Sequence, residues 1–373
     1  MRMLFLMAVL FPVTSTITAA ELRDVWIGTA GSKLSKGIYH CTLNPDNGKL
    51  SEPTLAAEVQ GPGFLARHPA LPCLYAVGTF DQKASVVAYS IEGSSEGSTL
   101  KLLGAVPIDD GGAAHLAVDA TGRTILTAQY GRGSVAVFAL NDDGSVKERT
   151  QLIRHKDGSG VRPNQNSPHP HWAGFSPDNR FGFVSDLGKD QVVIYSLDAA
   201  ASKITAHSSG VCPAGSGPRH MKFHPSSRWI YVLNENDVTV TLFDYDVEAG
   251  TMTAKQTQAA VPAEQLAREK QFSGSEIRVH PNGQYLYSAN RGHDTITVFR
   301  INPDTGRLTV IEREHIRGAT PRNFNLDPRG HWLVAAGQDS HTLASFEVDQ
   351  TTGELAYNHS LVRAPSPICV VID

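Results

Sequence analysis

The chain has 373 residues, with 33 Lys and Arg against 37 Asp and Glu, 15 His and four Cys. A net charge of −4 and the lack of any basic stripe argue against a nucleic-acid partner. The cysteines (Cys41, Cys73, Cys212, Cys369) have no metal-ligand spacing.

In chain order, the first predicted element is an export signal. Arg2 precedes an apolar run from Leu4 to Val13, and a small polar stretch then ends in Ala19-Ala20. This layout predicts a signal peptide over residues 1–20, cleaved after Ala20, and a periplasmic or extracellular product. The run is short for a membrane span, so no membrane association is expected after cleavage.

Residues 21–373 read as one domain, because no linker interrupts a repeating hairpin. Its turns fall at Pro69, Ala120, Pro177, Pro225, Pro281 and Pro328, so successive turns are 51, 57, 48, 56 and 47 residues apart. Each lies between two apolar strands, as in Phe175-Ser176-Pro177-Asp178-Asn179-Arg180-Phe181. Short strands at a period of about 40–50 predict an all-β propeller. A second marker, Gly-x-apolar or a close variant, occurs seven times: at Gly48, Ser98, Gly144, Ser202, Gly250, Gly306 and Gly353. Seven markers against six hairpins predict seven blades, one of them split between the termini. Ile368-Cys369-Val370-Val371 would be its innermost strand and Val25-Trp26-Ile27-Gly28 the next, which closes the ring and removes free sheet edges. Cys41 and Cys369 then fall in one blade. A disulfide between them is conceivable in an exported chain, but buried thiols are the expectation. Between the fourth and fifth hairpins, residues 263–270 read as a short helix or a loop.

The repeat also predicts where the chemistry sits. Residues farthest from a hairpin turn meet at its open end. Five and six positions before the turns stand Gly63/Phe64, Ala114/His115, His171/Trp172, Arg219/His220, Ser275/Glu276 and Arg322/Asn323. Nine and ten positions after them stand Gly78/Thr79, Gln129/Tyr130, Asp186/Leu187, Asn234/Glu235, Asn290/Arg291 and Gly337/Gln338. Polar residues thus gather at one mouth of the central channel, while the turns carry ordinary Pro, Asp, Asn and Gly.

Four segments could carry chemistry. Pro168-His169-Pro170-His171 sets two histidines two residues apart, a spacing suited to proton transfer or, with His220, to a metal. Gly215-Ser216-Gly217-Pro218-Arg219-His220 puts an anion-binding arginine behind a tight turn, without the features of a P-loop. Asn234-Glu235 and Asn290-Arg291-Gly292 occupy the same offset in successive hairpins. Glu235 could serve as a general base, orient a histidine or hold a structural salt bridge. Arg219, Arg291 and Arg322 against few acids favour an anionic ligand, with Glu276 available to neutralise one of them. No dinucleotide fingerprint or hydrolase elbow appears, and no cofactor is expected.

These segments, with Pro321-Arg322-Asn323-Phe324, resemble the landmarks of the seven-bladed propeller lactonases, a family that includes 6-phosphogluconolactonases and carboxy-cis,cis-muconate cyclases. The similarity runs from Gly28 to the C-terminus. It implies metal-independent lactone chemistry at the propeller mouth, with His171, Arg219, Glu235 and Arg291 as the active-site set. His115, His169, Asp186, His220, Asn234, Glu276, Asn290, Arg322 and Gln338 are the expected substrate contacts. The chain departs from the family pattern at 61–65, at Gly78-Thr79, and at Gly111-Gly112-Ala113-Ala114-His115, which lacks a proline before the histidine. The expected activity is hydrolysis of a sugar lactone by a monomer acting on an anionic lactone or carboxylate. The alternatives are a lactonising cycloisomerase and a propeller that only binds its ligand.

Overall fold

The computed structural model describes residues 21–93 and 97–373; the predicted signal segment, residues 1–20, lies outside them. Seven four-stranded antiparallel sheets form a ring of blades. Blade 1 comprises residues 23–58 with Pro367–Ile372 as its innermost strand. Blades 2 to 7 follow at 60–107, 115–154, 170–211, 218–259, 273–315 and 321–363. The predicted closure is present: Val25 pairs with Ile372, Ile27 with Val370 and Gly28 with Cys369. Blade 1 also separates Cys41 from Cys369, because the strand Arg23–Thr29 runs between theirs. All four cysteines are free and buried.

The burial pattern explains the blade order. Second strands such as Phe181–Asp186 and Trp229–Asn234 are buried at every position, because neighbouring blades cover both faces. Outermost strands such as Lys203–Val211 bury few positions and face solvent at the rim.

Two repeated devices join the blades. The Gly-x-apolar markers precede the outermost strands, and Gly48, Gly250, Gly306 and Gly353 adopt φ of 65°, 62°, 69° and 80°. A Cβ at these four would overlap a ring of the preceding blade: Trp332, Phe181, Trp229 and Tyr285 respectively. The Tyr75, Tyr231 and Tyr287 hydroxyls donate to the carbonyls of Gly144, Gly306 and Gly353 in the next blade, at 2.8, 2.8 and 2.9 Å. At the hairpin turns, the Nε2 atoms of His68, His224 and His280 lie 3.1, 2.9 and 2.9 Å from the carbonyls of Gly122, Gly283 and Gly330 in the following turn. These histidines are therefore structural. The segment over 263–270 contains a one-turn helix, Ala263–Leu266.

Candidate active site at the upper mouth of the channel

The inner strands enter the channel through β-bulges at the end opposite the hairpin turns, here called the upper end. In blade 4, Pro170 pairs with Asp186 and Trp172 with Ser185, so His171 is the extra residue. Blade 5 pairs Pro218 with Asn234 and His220 with Leu233, which leaves Arg219 unpaired. Blade 7 does the same around Arg322, and blade 1 around Ile368. In blade 6, Ser275 and Glu276 together face Ala289. A bulge re-aims the side chain it carries. Proline, which has no N–H to contribute to a ladder, precedes the bulged residue at Pro170, Pro218, Pro321 and Pro367.

The bulged residues His171, Arg219, Arg322 and Ile368 line a cavity of about 160 Å³ together with His220, Asn323 and the small or apolar Gly63, Phe64, Ala113 and Ala114. One wall is therefore polar and the other offers little beyond shape. Arg219 is buried, and its Nε lies 2.8 Å from Glu235 Oε2, while Nη1 donates to the Ser275 carbonyl. Arg291 Nη2 lies 3.2 Å from Glu235 Oε1 and donates to the Gly274 carbonyl at 3.0 Å. Glu235 thus sits between two guanidiniums. Burial, then the charge of Arg291, pushes Arg219 down to about 9 against the opposing pull of Glu235, so it stays charged at neutral pH. Arg322 makes no ion pair among the described residues, and burial lowers it too.

Three buried imidazoles lie beside the arginines. His171 and His220 have ring centroids 5.3 Å apart, and His115 and His220 5.4 Å. Burial first, then Arg219, holds both His171 and His220 well below the usual imidazole range. They are neutral at pH 7 and can accept a proton. His220 Nδ1 lies 3.1 Å from Glu276 Oε1, which assigns the proton to Nδ1 and leaves Nε2 as an acceptor without a partner. His171 Nδ1 is likewise unpartnered. Glu276 is fully buried and accepts from Arg278 Nη1 at 2.5 Å, from the Ile277 amide at 2.9 Å and from Asn323 Nδ2. It orients His220 and lies behind the cavity wall.

Other predicted contacts are occupied elsewhere. Asp186 accepts from His155 Nδ1 at 2.6 Å, the His169 amide at 2.7 Å and the amides of Gly188 and Lys189, so it ties the blade 4 corner. Asn234 Nδ2 donates to Thr239 and Thr241, both at 2.9 Å, and Asn290 Nδ2 repeats this with Thr295 and Thr297 at 3.1 and 2.9 Å. Both brace the second and third strands of their blades. His169 stacks on Tyr130 at 4.5 Å and bonds the Tyr130 carbonyl at 2.8 Å. His115 lies beneath the cavity, 3.9 Å from the Phe64 ring, with Nδ1 accepting from the Ala173 amide at 3.4 Å. Gln338 is half-buried, is not among the cavity-lining residues, and its Oε1 has no partner. Among the described residues, no three His, Cys, Asp or Glu side chains converge as metal ligands.

Sequence reasoning missed Tyr130 as a site residue. Its ring lies 5.5 Å from that of His171, and burial, then Glu235, pushes its phenol up. Its place beside Gln129 at the hairpin's open end was the available signal.

The fold is a seven-bladed propeller with a candidate small-molecule site at one mouth of its channel. The chain belongs to the family described as "Lactonase, 7-bladed beta-propeller", which matches residues 24–372. It is 35% identical to the 6-phosphogluconolactonase of Bacillus subtilis (strain 168), over 92% of this chain and 97% of that one. Among solved structures, a putative 6-phosphogluconolactonase from Bacteroides uniformis superposes with a TM-score of 0.87 at 29% identity, covering 95% of this chain and 100% of the other. The periplasmic gluconolactonase of Pseudomonas aeruginosa gives 0.87 at 27% identity, covering 94% and 99%.

Proposed function

We propose that this lactonase hydrolyses a sugar lactone of the gluconolactone or 6-phosphogluconolactone type at the upper mouth. The observation that carries this is the meeting of the neutral imidazoles of His171 and His220 with the buried Arg219 and the half-buried Arg322 around one small cavity. Lactone opening needs a proton acceptor for water, positive charge for the tetrahedral oxyanion, and a proton donor for the departing ring oxygen. His171, neutral and with Nδ1 free, takes the proton from water as its oxygen attacks the lactone carbonyl. Arg219 and Arg291 stabilise the oxyanion. The imidazolium then returns the proton to the ring oxygen as the carbon–oxygen bond breaks, leaving the open-chain hydroxy acid. Glu235, which neighbours two guanidiniums, is better suited to holding them in place than to acting as the base. His220, oriented by Glu276, offers a second acceptor for a substrate hydroxyl. Arg322 is the cation available to a phosphate or carboxylate.

The signal-like segment supports export, as does the likeness to a periplasmic gluconolactonase. An exported enzyme would meet unphosphorylated lactones rather than cytosolic phosphosugars, so the two substrates separate two settings. Residues 21–373 should be assayed on both lactones, following acid release, beside His171→Gln, Glu235→Gln and Arg322→Ala. Hydrolysis far above spontaneous opening is expected, lost in His171→Gln and only reduced in Glu235→Gln. A KM that rises in Arg322→Ala only for the phosphorylated lactone would assign phosphate to that arginine. No rate above spontaneous opening on either lactone would sink the reading and favour a lactonising cycloisomerase or a binding propeller.

A further inference from the structure

Below the Phe64 and His115 rings the channel widens into a second cavity of about 360 Å³. It reaches the last residues of the inner strands, Arg67, Val118, Phe175 and Phe223, at the hairpin-turn end. Its walls are largely apolar, but three cations line it: Arg67, Lys222 and Arg278. Two of them are matched. Arg67 Nε lies 2.8 Å from Asp373 Oδ1, and Arg278 donates to Glu276 and, at 3.0 Å, to Asn325 Oδ1.

Lys222 is not matched. Among the described residues its ammonium makes no ion pair; its Nζ lies 5.6 Å from the centre of the Trp172 ring. It is half-buried and lines the cavity. Burial first, then Arg278, pushes it down to about 7, with Glu276 opposing. With no acid paired to Lys222 among the described residues, this wall of the cavity carries an unmatched cation, and a ligand with one negative charge would supply what the cavity lacks. The apolar walls, with Trp172, Phe175, Phe223 and Val118, suit a carbon skeleton better than a bare inorganic ion.

We propose that this lower cavity is a second binding site, for a small organic monocarboxylate that accepts from Lys222 and lays its apolar body against Trp172. The site is distinct from the lactone site, because the Phe64 and His115 rings lie between them.

The probe is 4-bromobenzoate, titrated calorimetrically into the wild-type protein, Arg291→Ala and Lys222→Met, with inorganic phosphate as a second probe. Binding to wild type and Arg291→Ala should agree within about threefold, and Lys222→Met should weaken it by about tenfold or more, the scale of one lost charge-assisted bond. Wild-type crystals soaked in the probe should show the bromine anomalous peak beside Trp172, a readout that stands even where Lys222→Met fails to fold. Four results would overturn the proposal: no binding to wild type, loss in Arg291→Ala with retention in Lys222→Met, a bromine peak at the upper mouth, or phosphate binding as tightly as the bromobenzoate.

Discussion

The two halves of the channel are built from the same inner strands, yet the upper half gathers arginines and imidazoles on bulged residues, while the lower half sets its three cations on regular strands among largely apolar walls. At the hairpin-turn end the ladders are regular: Phe175 faces Gly182, Phe223 faces Ile230 and Leu326 faces Leu333. Strict alternation there sends every second side chain into the space between blades. At the upper end one extra residue per strand breaks the alternation and adds His171, Arg219 or Arg322 to the lumen. The comparison teaches that local irregularity adds charged and polar side chains to the lumen of an otherwise regular ring. One thread joins the halves: Arg278 lines the lower cavity and donates to Glu276, which holds His220 in the upper one.

That thread is the place to break the comparison hardest. Glu276→Ala leaves Arg278 and His220 without their shared acceptor in the interior. We expect a loss of about 3–5 kcal/mol in urea unfolding, the usual effect of removing one partner of a buried ion pair; a loss under about 1 kcal/mol would show that the network relaxes freely. Next comes Arg219→Met, which removes the proposed oxyanion donor. It should lower kcat about a hundredfold or more with a smaller change in KM, and a change in KM alone would make Arg219 a ground-state contact.

The neighbours Asn290 and Arg291 sharpen the contrast between scaffold and site. Asn290→Ala removes two buried hydrogen bonds to threonines and should cost about 1–3 kcal/mol of stability. Its effect on kcat should be far smaller than that of Arg291→Ala, as activity assays of both variants would show. Equal kinetic losses would return Asn290 to the site.

The smallest expected effect is a near-flat pH response around neutrality. If His171 is the proposed neutral base, its folded value, held well below the ordinary 6.5 by burial, should keep kcat level from pH 8 to 6.5 and let it fall only in more acid solution. Stability follows the same sign. His115, His171 and His220 are all held neutral by burial. Below pH 6.5 the unfolded chain takes up protons that the folded state refuses, so stability falls as pH falls. Urea midpoints between pH 7.5 and 5.5 would test this, and a midpoint that rose on acidification would contradict it.

The ring itself was legible in the sequence, because its determinants are local. A hairpin needs a turn residue at a set offset, and Asn179, Ser227, Gly283 and Gly330 each stand two positions past the turn's marker with φ of 60°, 58°, 72° and 73°. Ring closure by the last strand was readable from counting the seven Gly-x-apolar markers against the six hairpin turns. The gathering of His171, Arg219, Glu235, Arg291 and Arg322 at one end also followed from the hairpin offsets. What those offsets could not separate was a residue that faces the lumen from one that faces its own sheet. Asp186, Asn234 and Asn290 share the same end as Glu235 and Arg291, yet they turn inward to brace neighbouring strands. That choice depends on register, on which partners lie across the sheet and on a one-residue bulge. Proline before the bulged residue was the only trace of it along the chain. The matching of charges was likewise decided only when blades distant in sequence met: Glu235 between Arg219 and Arg291, Glu276 under His220, and Lys222 beneath Trp172 with no ion pair among the described residues. Electrostatic pairing depends on separation in space, which the order of residues does not record.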